Sequence, residues 1–380
     1  MYIFSSVLAL VAALIIMNTL GFHKGVYNKS GVVSITGARC FLCLLVLISH
    51  ANKILYSINN EWLFDKGYKL PFGVNNFYIN SGKVGVLVFF MISGYLFYRV
   101  VYRENVSLFG VLMNRIKRII PMYWFSLLLI MACCFVFFNP VFSMEGIIDI
   151  VSWALFWGGN SIAGTDSSLV NSGVEWTLRV EWMLYVSIII ISLLTNGMSN
   201  KNKDIVVVVS IGGLLIVSAA IRLYSDFYID PRPVIGFFTG FIAYRMQSEI
   251  KAMKYKRTFS LAAMVSLLLS LVVSSHSFYY IIPFFLCSVF FIVISSGNDI
   301  FGILSNKTVV SIGEVSYSIY LIHGIVLFIM DKIINAEYLS DFYALFIFNV
   351  SLMLISCYVS KFTYLFIEKK WFKQFSAAAA

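Results

Sequence analysis

Arg39 and His50 flank an otherwise apolar run, Arg39-CFLCLLVLIS-His50. Their spacing is close to three helical turns, so one helix face carries both side chains, roughly 16 Å apart along the axis. That is about half of the ~30 Å hydrocarbon core of a bilayer. A cation near one interface and an imidazole near mid-depth are costly to insert, and ionisable groups at depth mark a reaction or transport path by default. An imidazole there has the chemistry of a general base for a hydroxyl. The plainer alternative is a snorkelling arginine and a neutral histidine bonded to a neighbouring carbonyl.

Four further groups bear on the same chemistry. In Gly313-EVSYSIYLI-His323, Ser316, Tyr320 and His323 fall at i, i+4 and i+7 and form one polar stripe on an apolar helix. It brings a second membrane imidazole, or else an interhelical hydrogen-bond seam. In Trp176-TLRVEWML-Tyr185, Glu181 and Tyr185 share a face near the expected outer end of a span, and a carboxylate at that depth must face protein or water. In Asn114-RIKRIIPMY-Trp124, Arg115 and Arg118 share a face in what reads as an inside loop, with Pro121 where the next helix begins. Arginine forks match phosphate bidentately, so this basic turn is an anion cradle or a set of ordinary cytoplasmic anchors. Ser93-Gly94-Tyr95 sits in a glycine-bearing apolar segment where Gly85 reads as a packing glycine.

The elements that position these residues are membrane helices. The chain has 380 residues, 60% hydrophobic and 12% charged, against roughly 25% charged in a soluble domain. Apolar segments of membrane length are expected near 2–21, 37–57, 84–103, 119–138, 176–196, 204–222, 233–247, 258–275, 278–296, 314–333 and 343–366. Stretch 148–158 reads as a re-entrant or interfacial helix. The first segment lacks a small-residue cleavage site and reads as retained. If the loop at 22–36 is inside, the inside loops hold seventeen cations and the outside loops, Lys83 among them, hold seven. This sets an outside N-terminus and a cytoplasmic C-terminus, and accounts for the net charge of +10 without nucleic acid. All six cysteines lie in apolar segments, which excludes a disulfide framework and makes Cys40-x-x-Cys43 a poor metal site. No internal repeat is visible, so the inverted-repeat mark of many transporters is missing. His23 and His276 fall in loops and take no role.

Together these motifs resemble the acyltransferase-3 family of bacterial membrane O-acyltransferases. The resemblance runs over 36–370 in order. It comprises the Arg-x10-His helix; Phe89-FMISGY-Leu96; Arg115, Arg118, Ile119, Pro121 and Tyr123; Trp176, Thr177, Leu178, Glu181 and Tyr185; Ser316, Tyr317, Tyr320, Leu321 and His323; and Phe366-IEK-Lys370. Asn114, Arg179 and Trp182 depart from the residues frequent in the family.

The resemblance implies an all-α polytopic membrane protein: a core of about ten helices at 36–370, an extra N-terminal transmembrane helix and loop at 1–35, and a cytoplasmic tail at 371–380 ending in an alanine run foreign to the fold. It implies a stand-alone form without the SGNH hydrolase-like domain of some members. Its expected reaction is transfer of an acetyl group from cytoplasmic acetyl-CoA to a hydroxyl of O-antigen, capsule or another lipid-linked saccharide in a bacterial inner membrane, with no metal. The catalytic set expected is His50, as general base or acyl relay, with Arg39, Glu181 and His323. The donor is expected at Arg115, Arg118, Tyr123, Ser93 and Tyr95, and the acceptor at Trp176, Tyr185, Tyr320 and Ser316. The alternative from another class is a lipid-linked saccharide flippase or polysaccharide transporter.

Overall fold

In lipid a helix satisfies its own backbone groups, and apolar sequence of this length folds accordingly. The computed structural model describes residues 2–28, 31–51, 72–102, 107–138, 143–157, 161–162, 165–166, 168–224, 232–252, 256–273, 281–334, 339 and 341–371. In chain order the helices are α1 Tyr2–Thr19, α2 Val33–Ala51, α3 Phe72–Val101, α4 Leu108–Phe138, α5 Met144–Ala154, α6 Ser168–Asn171 and α7 Trp176–Leu194. There follow α8 Asn200–Tyr224, α9 Gly236–Ala252, α10 Lys256–Val272, α11 Ile281–Ser295, α12 Lys307–Glu314, α13 Ser316–Ile333 and α14 Phe342–Thr363, which runs on as a π-helical turn at Tyr364–Glu368. One antiparallel ladder, Ser161–Ile162 with Thr165–Asp166, lies between α5 and α6. Local sequence sets several starts: Asn306 Oδ1 accepts from the Thr308 and Val309 amides to open α12, and Asp341 accepts from Tyr343 and Ala344 to open α14.

Among the described residues, eight helices are long and apolar enough to cross a membrane: α1, α2, α3, α4, α7, α8, α13 and α14 with its π turn. α9, α10 and α11 stand at the other three expected places but are shorter, at 17, 17 and 15 residues. The protein is an all-α polytopic membrane protein.

Two boundaries differ from expectation. α3 begins at Phe72, so Lys83 is inside a helix and not in an outer loop. α4 begins at Leu108, so Arg115 and Arg118 lie about two and about three turns into a helix, and Pro121 is within it and not at its start. Hydropathy marks only the apolar part of a helix. The backbone ladder continues through polar residues where their side chains face protein.

The centre of the molecule is α2, α3 and α13, with 67%, 72% and 72% of their apolar windows buried, against 28% for α1 and 17% for α8. α2 and α3 meet closely at Gly85, where an added Cβ would lie 2.5 Å from Val46 Cγ2 and 2.8 Å from the Leu42 carbonyl oxygen. The packing reading of this glycine is therefore the structural one.

Between α4 and α7 the chain turns back into the bundle. Tyr123 Oη donates to the Trp153 carbonyl at 2.7 Å and ties α5 to α4. Phe156, held at a φ of 63°, stacks on Tyr123 at 4.0 Å with Trp182 edge-on to it. α6 then packs against the middle of α13. Gly324, half-way along α13, has the Asn171 backbone where a Cβ would stand, at 2.4 Å. Asn171, Ser172 and Glu175 are buried there. Of the stretch 148–158, expected as a re-entrant or interfacial helix, the residues to Ala154 belong to α5, and Ile148, Val151, Leu155 and Trp157 are exposed.

Candidate functional site

Arg39 and His50 both face α13, as one helix face requires. At the His50 end, His50 Nδ1 lies 2.7 Å from His323 Nε2. The rings are 5.0 Å apart and within 3° of parallel. With so short a bond between the nitrogens, this separation puts the rings edge to edge nearly in one plane, an in-plane hydrogen bond and not a face-to-face stack. His323 is fully buried, and its Nδ1 is 3.0 Å from the Ile319 carbonyl oxygen one turn back on α13.

At the Arg39 end a cavity of about 90 Å³ opens among Arg39, Val86, Phe89, Phe90, Thr177, Leu178, Glu181, Ser316, Tyr317 and Tyr320. That is space for several waters or for a narrow chain. Four helices, α2, α3, α7 and α13, meet in it, and α6 packs against α13 just before α7 begins. The Tyr320 hydroxyl donates to the Val174 carbonyl at 3.2 Å and accepts from Thr177 Oγ1 at 3.0 Å. Its ring centre is 6.0 Å from that of His323. Tyr320 thus stands between the cavity and the imidazole pair.

Glu181 projects into this cavity and is held from two sides, by Ser93 Oγ at 3.0 Å on one oxygen and by the Tyr185 hydroxyl at 3.1 Å on the other. It shares the cavity wall with Arg39 of α2, a pairing that the spacing within α7 alone does not record.

On the far side of Arg39 the cations and carboxylates interleave. Arg39 is within electrostatic reach of Arg118, Glu314 and Glu368. Arg118 Nε faces Glu368 Oε1 at 3.8 Å, and Ser318 Oγ donates to Glu368 Oε2 at 3.0 Å. The Arg115 guanidinium lies 4.6 Å over the Phe97 ring. The basic turn is therefore a set of arginines already steered by buried carboxylates and an aromatic face.

The structure brings together Arg39, Glu181, Ser316 and Tyr320 in the cavity wall, with Ser93 and Tyr185 behind Glu181 and His50 with His323 beyond Tyr320. Two expected donor residues go elsewhere. Tyr95 turns to the α9–α11 side, bonded to Gln247 and packed on Tyr244 and Phe291, because positions two apart on a helix face apart. Tyr123 anchors α5. Trp176 sits beside Phe90 at 6.4 Å, next to the wall. Sequence reasoning missed Thr177, Tyr317, Ser318 and Glu368 as site residues. Thr177, Tyr317 and Glu368 stand within the matched motifs, and that was the available signal. Ser318 has none of its own, and its meeting with Glu368 joins α13 to the π turn of α14. His276 lies outside the described residues. Among the described residues no three His, Cys, Asp or Glu side chains gather as a metal site.

A part-buried and a buried imidazole in hydrogen-bond contact, a carboxylate held by two hydroxyls, and Arg39 thus gather in and beside one cavity. The acyltransferase-3 family model, an acyltransferase domain, matches residues 32–363. The chain belongs to this family and is a membrane acyltransferase. No curated protein and no solved structure matches the chain.

Proposed function

We propose that the protein is an O-acetyltransferase of a bacterial inner membrane, moving acetyl from cytoplasmic acetyl-CoA to a hydroxyl of a cell-surface or lipid-linked glycan. The observation that carries this is the cavity bounded by Arg39 at one end and by Tyr320, next to the His50–His323 pair, at the other. A thioester donor has a phosphate-bearing end that lipid excludes and a narrow pantetheine arm. In this reading Arg115, Arg118 and Arg39 receive the phosphates, and the arm threads the cavity between Phe89 and Tyr320. Glu181, fixed by Ser93 and Tyr185, aligns the donor or the acceptor. His50 takes the acceptor hydroxyl proton as the oxygen attacks the acyl carbon, and returns it to the departing thiolate. Trp176, Ser316 and Tyr320 contact the acceptor. The orientation that serves this reaction has the N-terminus outside and the C-terminus cytoplasmic, in line with the loop charges.

The test is incubation of the purified protein in nanodiscs with labelled acetyl-CoA and lipid-linked saccharides. Label should appear on the saccharide as an alkali-labile ester. Longer acyl-CoA donors run in parallel report donor length. If CoA thioesters are neither bound nor consumed while the saccharide crosses the bilayer, the flippase reading replaces this one.

A further inference from the structure

The two imidazoles form a hydrogen-bond chain whose direction is set by a group that has no choice. A backbone carbonyl only accepts, so the 3.0 Å contact between His323 Nδ1 and the Ile319 oxygen requires the hydrogen on Nδ1. In a neutral His323 the other nitrogen, Nε2, is then the acceptor. His50 Nδ1, 2.7 Å away and in plane, must donate to it. In a neutral His50 this leaves Nε2 with a lone pair and no hydrogen. A helix carbonyl on α13 thereby dictates the tautomer of a histidine on α2.

We propose that His323 is a positioning residue that locks His50 in the tautomer with Nδ1–H and a basic Nε2, and that Ile319's carbonyl oxygen orients the lock. The proposal rests on the reading above of His50 as the base. In the transfer step the acceptor O–H proton moves to His50 Nε2, the oxygen–acyl carbon bond forms, and the carbon–sulfur bond of the thioester breaks. The proton on Nε2 then passes to the thiolate. His323 exchanges no proton in this cycle. Its Nε2 accepts the His50 Nδ1 hydrogen throughout, and that bond strengthens while His50 is an imidazolium. This is why a fully buried histidine with no wall position in the cavity is placed where it is.

The experiment separates an acceptor from a titrating group and carries a readout independent of turnover. The full chain in nanodiscs is made as wild type, His323→Gln and His323→Leu, with thermal unfolding as the folding control. Gln offers an amide oxygen at about the reach of Nε2 but has no proton to relay. His323→Gln should keep kcat within about tenfold of wild type, while His323→Leu should lose about a hundredfold or more in kcat with KM nearly unchanged. Nitrogen NMR of histidine-labelled protein, with the His50 signal identified by its loss in His50→Gln, should show a protonated Nδ1 and a bare Nε2. In His323→Leu the hydrogen should move to Nε2. A folded His323→Gln as inactive as His323→Leu would make His323 a proton relay and overturn the proposal. So would a wild-type His50 carrying its hydrogen on Nε2, or a His323→Leu protein with wild-type kcat. If no acyl donor is turned over by wild type, the function reading fails and the spectra alone decide the tautomer. If His323→Leu does not fold, wild type and His323→Gln decide.

Discussion

At the scale of single residues, His50 and Arg118 carry different burdens. His50→Ala should abolish acetyl transfer, by about 10²–10⁴-fold if general-base catalysis is what is lost, while the protein still inserts and unfolds at the wild-type temperature. Glycan acetylation near wild type at matched expression would remove His50 from the chemistry. Arg118 faces the buried Glu368 at 3.8 Å, so truncating it does two things at once. Arg118→Ala should weaken CoA affinity and also lower thermal stability, because it strands a buried carboxylate. Adding Glu368→Gln should restore the stability and leave affinity low, since only the stranded charge is relieved. A double variant that regains affinity would show that Arg118 serves packing alone. These residues were legible in sequence as types at depth. Glu368 as the partner was not, because fifty residues and a π turn separate it from its hydrogen-bond donor Ser318.

At the scale of elements, α2 is the ruler of the site. One alanine inserted after Leu45 turns His50 by about 100° and raises it by 1.5 Å relative to Arg39. His323 does not move with it, so the 2.7 Å bond is lost. Acetyl transfer should vanish although both residues remain, and a compensating deletion after Leu47 should restore it. Retained activity in the insertion variant would make the Arg39–His50 spacing incidental. The approach of α6 to α13 gives a second test. Gly324→Val places a side chain where the Asn171 backbone stands at 2.4 Å. It should displace α6 and with it Thr177 and Glu181, lowering both the unfolding temperature and kcat. Wild-type unfolding and turnover would show that α6 is not held by this contact. Helix identity and rough position were readable from hydropathy, because lipid demands it. The starts of α3 and α4 were not, because polar residues such as Asn76, Asn80 and Ser81 in α3, and the cations Arg115, Lys117 and Arg118 in α4, interrupt the apolar run without ending the helix.

At the scale of the molecule, α1 lies outside the family match yet is stitched into the bundle. Ser6 Oγ meets the Tyr78 hydroxyl at 2.9 Å and accepts from Asn349 Nδ2 at 3.3 Å, joining α1, α3 and α14. Lys361 Nζ donates to the Phe22 carbonyl at 2.7 Å and Thr308 Oγ1 to Asn18 at 2.9 Å. Ser6→Val should lower stability by about 0.5–2 kcal/mol, the worth of polar contacts between membrane helices, as a drop in unfolding temperature in detergent. An unchanged temperature would mark α1 as an appended helix. The family match covers the site apart from Glu368 but not this helix, and no periodicity in α1 announced its partners, since its buried face is made of small residues such as Ala9 and Ala13.

The sequence by itself determined that the chain is a polytopic helical membrane protein and which ionisable side chains lie at depth. Lipid imposes length and apolarity on each span separately, so both are local properties and can be counted along the chain. Only the tertiary structure decided that His50 touches His323, that Glu181 shares a cavity wall with Arg39, and that Tyr95 and Tyr123 face elsewhere. Those facts depend on the rotation and depth of one helix against another. Both are set by contacts between segments far apart in sequence, such as Gly324 against Asn171, and no periodicity within one segment records them.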